Sequence, residues 1–177
     1  KDRAPLSMAL GLGQAPAQMG PDTETYWPYF LLDQDIEDQV GEILEAPYEN
    51  LRFGDVCQVD LDCLSQDYYR SPVEEKKPIW LEPYEWTGVT MTTVTAPFYD
   101  DSRQLIGVSG LDINVTALSQ RIKSPEGWGS GYFAVISEQG NLLAYPPDPK
   151  MATNLATVND IDELKQVWER IDNTNIK

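Results

Sequence analysis

Asp112 is an acid set inside an otherwise apolar run, Leu105-Ile-Gly-Val-Ser-Gly-Leu-Asp-Ile113. A carboxylate carried into an apolar interior needs a compensating partner. An ammonium ligand would supply the opposite charge, with nearby aromatic rings adding cation–π attraction of about 0.5–2 kcal/mol each. Backbone N–H groups near a following helix would also serve, and the residues alone leave both open. Catalysis has less to work with. The chain of 177 residues contains no histidine, which excludes Ser-His-Asp and Cys-His catalysis, histidine zinc sites and a phospho-accepting histidine. Hydrolysis by paired carboxylates needs two acids in one cleft with their pKa values pushed apart, and no second acid is tied to Asp112. The chain therefore reads as a non-enzyme with no catalytic residues.

The remaining motifs exclude more than they support. Gly11-Leu-Gly13 has Pro16 where a dinucleotide loop needs its third glycine. In Gly107-Val-Ser-Gly110 the glycine follows the serine directly, so it is not a nucleophile elbow. The acidic clusters Asp33/Asp35/Asp38, Asp60/Asp62 and Asn159/Asp160/Asp162/Glu163 lack the EF-hand glycine and terminal glutamate. No cofactor and no metal site is expected. Asn114-Val-Thr116 fits a glycosylation sequon, but Asn114 is explained more simply as a helix cap. Cys57 and Cys63 have a Cys-x5-Cys spacing that matches no standard zinc or redox motif. A short-loop disulfide in an oxidising compartment and a pair of free thiols both fit.

These residues must be positioned by a small set of elements. Val89-Thr-Met-Thr-Thr-Val-Thr-Ala-Pro-Phe-Tyr99 is β-branched and aromatic, so it predicts a strand. Val89, Met91, Thr93 and Thr95 share one face of it. Residues Asp100–Gln104 turn the chain into a second strand, Leu105–Ile113, completing a hairpin. Asn114 then caps a helix buried along Val115, Leu118 and Ile122. After a Gly-rich linker, Pro125–Ser130, the order restarts. Strand Gly131–Ile136, turn Ser137–Gly140, strand Asn141–Tyr145 and a helix from about Asp160 follow, the helix burying Ile161, Leu164, Trp168 and Ile171. Upstream, residues 1–50 carry turn signals at Gly11, Gly13, Pro16, Gly20-Pro21, Pro28 and Pro47, with one helix expected around Asp33–Leu44. Ser71–Pro78 reads as a loop or a single helical turn. The predicted class is α+β: an antiparallel sheet flanked by helices over residues 1–125, then a second, incomplete module over 126–177.

Composition sets the outer bounds. Thirteen Lys+Arg against 29 Asp+Glu give a formal charge of −16, which repels phosphate backbones and anionic lipid, so nucleic acid is not an expected partner. No run approaches the roughly 18 apolar residues that span a bilayer. The abrupt ends suggest a piece of a longer protein.

The segment Gln66–Ile113 resembles the extracellular double Cache family of tandem PAS-like sensor domains. The residues that carry the likeness are Asp67-Tyr-Tyr69, Trp80-Leu-Glu-Pro-Tyr84, Thr92-Thr-Val-Thr-Ala-Pro-Phe-Tyr-Asp100 and Leu105-Ile-Gly-Val-Ser-Gly-Leu-Asp-Ile113. Gly131–Asp148 resembles the opening of that family's membrane-proximal module. The resemblance implies an extracytoplasmic ligand sensor of a bacterial membrane-spanning receptor, with a histidine kinase, cyclase or chemotaxis output beyond this chain and a homodimer as a possible assembly. It implies a ligand amine held by Tyr84 and Asp112, beside Tyr68-Tyr69 where the family has Trp-Tyr. The family's carboxylate-gripping arginine falls on Gln66, whose neutral amide cannot make a bidentate charged fork, while Arg70, four residues on, is the candidate to substitute for it at the ligand. That departure favours an amine or quaternary ammonium over an ordinary amino acid. Trp80 and Trp86 serve as packing residues or further cage walls, and Thr93 and Thr95 are candidates to line the ligand pocket or simply inward-facing strand residues. The rival readings are a PAS-like dimerisation module with an empty pocket and, more distantly, a carboxylate hydrolase.

Overall fold

The structure, a computed structural model, describes residues 7–19, 24–32, 41–122, 127 and 129–173. Its main feature is an eight-stranded antiparallel sheet. The strands are β1 (Ser7–Gln14), β2 (Pro28–Leu32), β3 (Glu42–Ile43), β4 (Leu51–Asp55), β5 (Ile79–Trp80), β6 (Tyr84–Trp86), β7 (Val89–Tyr99) and β8 (Leu105–Asn114). They lie in the order β3-β4-β2-β1-β8-β7-β5, and β6 also pairs with β7. The expected hairpin is the pair β7–β8. Asp100 shapes its turn, accepting hydrogen bonds from the Gln104 N–H at 2.7 Å and the Ser102 hydroxyl at 2.8 Å.

The N-terminal region departs from the sequence reading. The glycine-bearing stretch read as turns is β1, a central strand between β2 and β8. Glycine weakens strands in isolation and often marks close approach of another group. Here the group is Trp27: its indole lies on Gly11 and Gly13, where any Cβ would collide with the ring. Most of the expected helix, Asp33–Val40, lies outside the described residues, as do Gly20-Pro21 and Pro125, Glu126 and Trp128 of the expected linker. At the far end of that expected helix, Glu42 and Ile43 are strand, paired with Phe53 and Arg52.

Between β4 and β5 the chain forms α1 (Val56–Val59), a 3-10 turn at Cys63–Ser65 and α2 (Asp67–Glu75). Where a loop or a single helical turn was expected from Ser71, helix α2 continues to Glu75, and it buries Pro72. Asp55 starts α1 by accepting from the Cys57 N–H at 3.0 Å, and the same oxygen accepts from the Trp27 N–H at 2.8 Å. Cys57 and Cys63 are disulfide-bonded and buried.

Asn114 caps α3 (Val115–Arg121) as expected, accepting from the Ala117 N–H at 2.9 Å. Beyond it lie β9 (Val135–Ile136), β10 (Leu142–Ala144), α4 (Pro149–Thr153) and α5 (Asp162–Asn173). Strand β9 is shorter than predicted because β10 is its one partner. On α5, Leu164 is buried but Ile171 is exposed. Two apolar cores result. The first joins the inner sheet face to Val56, the disulfide and Tyr69. The second gathers Leu142, Leu143, Ala152, Val158 and Leu164 around Val115. Helix α3 thus packs on the second core, and its Ser119 hydroxyl donates to the Leu143 carbonyl at 3.1 Å.

Candidate functional site

Register builds the site. Leu31, Ala9, Asp112 and Thr93 stand side by side across β2, β1, β8 and β7. The adjacent row is Tyr29, Gly11, Gly110 and Thr95. Side chains alternate across a strand, so these rows share the inner face. The paired glycines leave a hollow there, which Tyr68 of α2 and Tyr84 and Trp86 of β6 close from the other side. About 30 Å³ of it is open to the centre of a water molecule. That is room for a small head group, since one water needs about 10–15 Å³ of such space.

Asp112 forms the polar end of the cavity and is 5% exposed. Its Oδ1 accepts the Thr93 hydroxyl at 2.6 Å, and its Oδ2 accepts the Tyr29 hydroxyl. Thr93 Oγ1 and Tyr84 Oη are 2.7 Å apart. A threonine hydroxyl has one proton to give. With that proton on Asp112, Tyr84 is the donor to Thr93. Burial pushes the Asp112 carboxyl above its ordinary value, while the hydrogen bonds from Thr93 and Tyr29 act in the opposite direction. Burial also pushes the phenols of Tyr29 and Tyr84 upward, reinforced by the Asp112 charge. Both therefore remain protonated donors at neutral pH. Among the described residues, none in the cavity wall carries a positive charge.

The structure separates the residues singled out from sequence. Tyr68, Tyr84, Trp86, Thr93 and Asp112 line one cavity. Tyr68 donates to Asp60 at 2.7 Å and meets Trp27 edge-on at 5.1 Å. Tyr69, about 100° further round α2, turns away and donates to the Gln14 carbonyl at 3.2 Å. Arg70 is exposed and bridges Asp67 at 2.8 Å and Glu74 at 3.9 Å, so it is not held at the cavity. Trp80 is 58% exposed and lines a wider outer groove instead. Gln66 also faces that groove, and its amide donates to Asp62 at 2.9 Å. Thr95 is buried on the inner face but is not in the cavity wall.

Trp27 and Tyr29 were missed, because their segment was read as turns. A signal was present: Trp27, Tyr29 and Leu31 alternate at the period of one strand face. Among the described residues, no three His, Cys, Asp or Glu side chains are grouped to hold a metal.

The site is thus an aromatic cavity between the inner face of a sheet and a short helix. Residues 21–120, more than half of the chain, match the family model of the methyl-accepting chemotaxis protein-like first PDC sensor domain, and the chain belongs to that family. Methyl-accepting chemotaxis protein PscA of Pseudomonas syringae pv. tomato is 29% identical over 98 residues, covering 54% of this chain and 15% of that protein. The extracellular domain of mmHK1S-Z3, described as a histidine kinase, has a TM-score of 0.67 at 19% identity, covering 97% of this chain and 61% of its own. The ligand-binding domain of the Pseudomonas aeruginosa amino acid chemoreceptor PctC, solved with GABA, has a TM-score of 0.51 at 18% identity, covering 87% of this chain and 55% of its own. At these identities the structural likeness is one of fold, and it agrees with the α+β, PAS-like class expected from sequence. The chain spans less than two thirds of each of these relatives. No described helix is long and apolar enough to cross a membrane. Family membership makes this a sensing module and not an enzyme.

Proposed function

We propose that the cavity binds the ammonium group of a small amine or amino-acid-like ligand, and that the chain is the extracytoplasmic sensing part of a membrane-spanning receptor of chemoreceptor or histidine-kinase type. One observation carries the reading. Among the described residues, Asp112 is a buried carboxylate served by neutral hydroxyl donors alone, in a wall of aromatic rings without a cation. A buried charge of this kind is normally paired, and a ligand ammonium completes it. The solved relative bound to GABA carries an amine-bearing ligand, which supports the same class.

Signalling follows as a population shift. Tyr68 sits on α2 and Tyr84 on β6, so a ligand held between them and Asp112 favours the closed position of both. Asp112 lies on β8 two residues before the Asn114 cap of α3. The Thr90 hydroxyl donates to the Thr153 carbonyl at 2.7 Å, and Asn141 donates to Glu82 at 2.8 Å. These contacts join the sheet to the second core.

The test is calorimetric titration of small amines into the chain and its Asp112→Asn variant. Wild type binds, and the variant loses at least about thirtyfold in affinity, the lower end of the scale of about 2–5 kcal/mol for losing a desolvated charge partner. The variant keeps or raises its thermal midpoint, because an uncompensated buried charge has been removed. An unchanged dissociation constant in the variant overturns the ammonium site.

A further inference from the structure

We infer that the Trp27 indole N–H reads an uncharged acceptor atom on the ligand, which narrows the class to small amines bearing a neutral oxygen, of the amino-alcohol type. This rests on the ammonium reading of Asp112 and adds a second anchor to it.

The first ground is the hydrogen-bond inventory of the wall. Tyr29 and Thr93 donate to Asp112, Tyr84 donates to Thr93, and Tyr68 donates to Asp60. All four hydroxyls are committed within the protein. Trp27 Nε1 is buried and has no partner among the described residues, although its ring lines the cavity and is 4% exposed. Buried donors in native structures nearly always have an acceptor.

The second ground is where that donor faces. Indole atoms Cε3, Cδ2 and Cζ3 lie over Gly13, Nε1 and Cδ1 lie over Gly11, and Cζ2 lies over Gly110. Gly11 and Gly110 are cross-strand partners. The ring therefore runs along the sheet from Gly13 toward the Gly11–Gly110 pair, with its Nε1–Cζ2 edge leading. The next inward-facing pair in that direction is Ala9 and Asp112. The N–H edge thus faces the Asp112 end, one row away, or about 7 Å at the rise of two strand residues. A short amine with an acceptor a few bonds from its nitrogen can meet both anchors, with a hydrogen bond of about 2.9 Å at each end.

The third ground is charge. A carboxylate would find no cation among the described residues of the wall. The groove outside carries six carboxylates against one lysine, Lys77, which Glu75 already holds at 2.8 Å. A neutral indole donor suits a hydroxyl or ether oxygen, which needs no counter-charge.

Ethanolamine, n-propylamine and glycine are matched probes, alike in size and differing in the acceptor. Titrated calorimetrically at neutral pH, ethanolamine binds about tenfold tighter than propylamine, the worth of one buried hydrogen bond, and glycine binds more weakly than ethanolamine. Trp27→3-benzothienylalanine, which replaces the N–H with sulfur in a ring of similar size, reduces the ratio of ethanolamine to propylamine affinity to about one. Trp27→Phe, checked for folding by its thermal transition, removes the preference as well. Equal binding of the two amines by wild type, a preference that survives in the benzothienyl variant, or tighter binding of glycine overturns the Trp27 assignment. The Asp112 site still stands if Asp112→Asn abolishes propylamine binding. Failure of both amines to bind wild type overturns the ammonium site, and this inference with it.

Discussion

Two opposing effects act on the Asp112 carboxylate. Burial favours its protonated form, and the donors Thr93 and Tyr29 favour its ionised form. The balance leaves its folded pKa above the ordinary 3.8. Between those two values the folded state holds more protons than the unfolded state. Stability without ligand therefore falls as pH rises through that window. A cationic ligand acts in the other direction, because it needs the ionised form. Affinity is flat above the folded pKa and falls about tenfold per pH unit below it. Tyr29→Phe removes one donor that lowers this pKa, so the acid limb of binding moves upward. A hydrogen bond to a charged group is worth about 1.5–3 kcal/mol, so a shift of about one to two pH units is expected in a series of dissociation constants against pH. A limb that stays in place or moves down would show that Asp112 does not control binding.

At the scale of elements, the β1 glycines are spaces cut for a ring. A Cβ on Gly13 would overlap the Trp27 six-membered ring, and one on Gly11 would overlap its five-membered ring and approach Tyr29. Gly13→Ala should cost about 1–3 kcal/mol in urea denaturation, the usual range for overpacking a core. Leu10→Ala, on the opposite face and 49% exposed, should cost less. Equal costs would mean that Trp27 has room to shift. Helix α2 divides its residues by angle, Tyr68 toward the cavity, Tyr69 toward the core behind Trp27, and Arg70 toward solvent. Arg70→Ala should leave amine affinity within about twofold of wild type by calorimetry, as expected for an exposed ion pair. A large loss would require Arg70 to swing toward the ligand.

Across the whole molecule, a charge of −16 acts on both stability and encounter. Self-repulsion destabilises the compact state, and salt screens it over about 10 Å at 0.1 M. The thermal midpoint should therefore rise between about 10 mM and 300 mM sodium chloride, a range over which the Debye length falls from about 30 Å to about 6 Å. The association rate of a cationic probe should fall over the same range, because the acidic groove outside the cavity steers cations less when screened. A midpoint that falls with salt would show that specific ion pairs outweigh the net charge.

The hairpin β7–β8, the Asn114 cap, the polar turn at Asp100 and the α5 helix were legible because their causes are local. β-branched alternation, a side-chain oxygen before an apolar stripe, and a helical period each act within a few residues. Asp112 was legible for a related reason, as a charge among apolar neighbours on one strand. What surrounds it was not. Tyr29 and Trp27 come from 83 and 85 positions away in sequence, and only strand register brings them to Asp112. The glycines of β1 oppose strand formation by their own propensity, and they become strand residues because Trp27 needs the space above them. The sequence by itself determined an acidic α+β sensor-like chain with one misplaced charge. The tertiary structure decided that Tyr68 and not Tyr69 faces that charge, that Arg70 and Trp80 stay outside, and that an indole N–H shares the cavity. Such facts depend on helix angle, register and packing between distant segments, which short-range patterns do not encode.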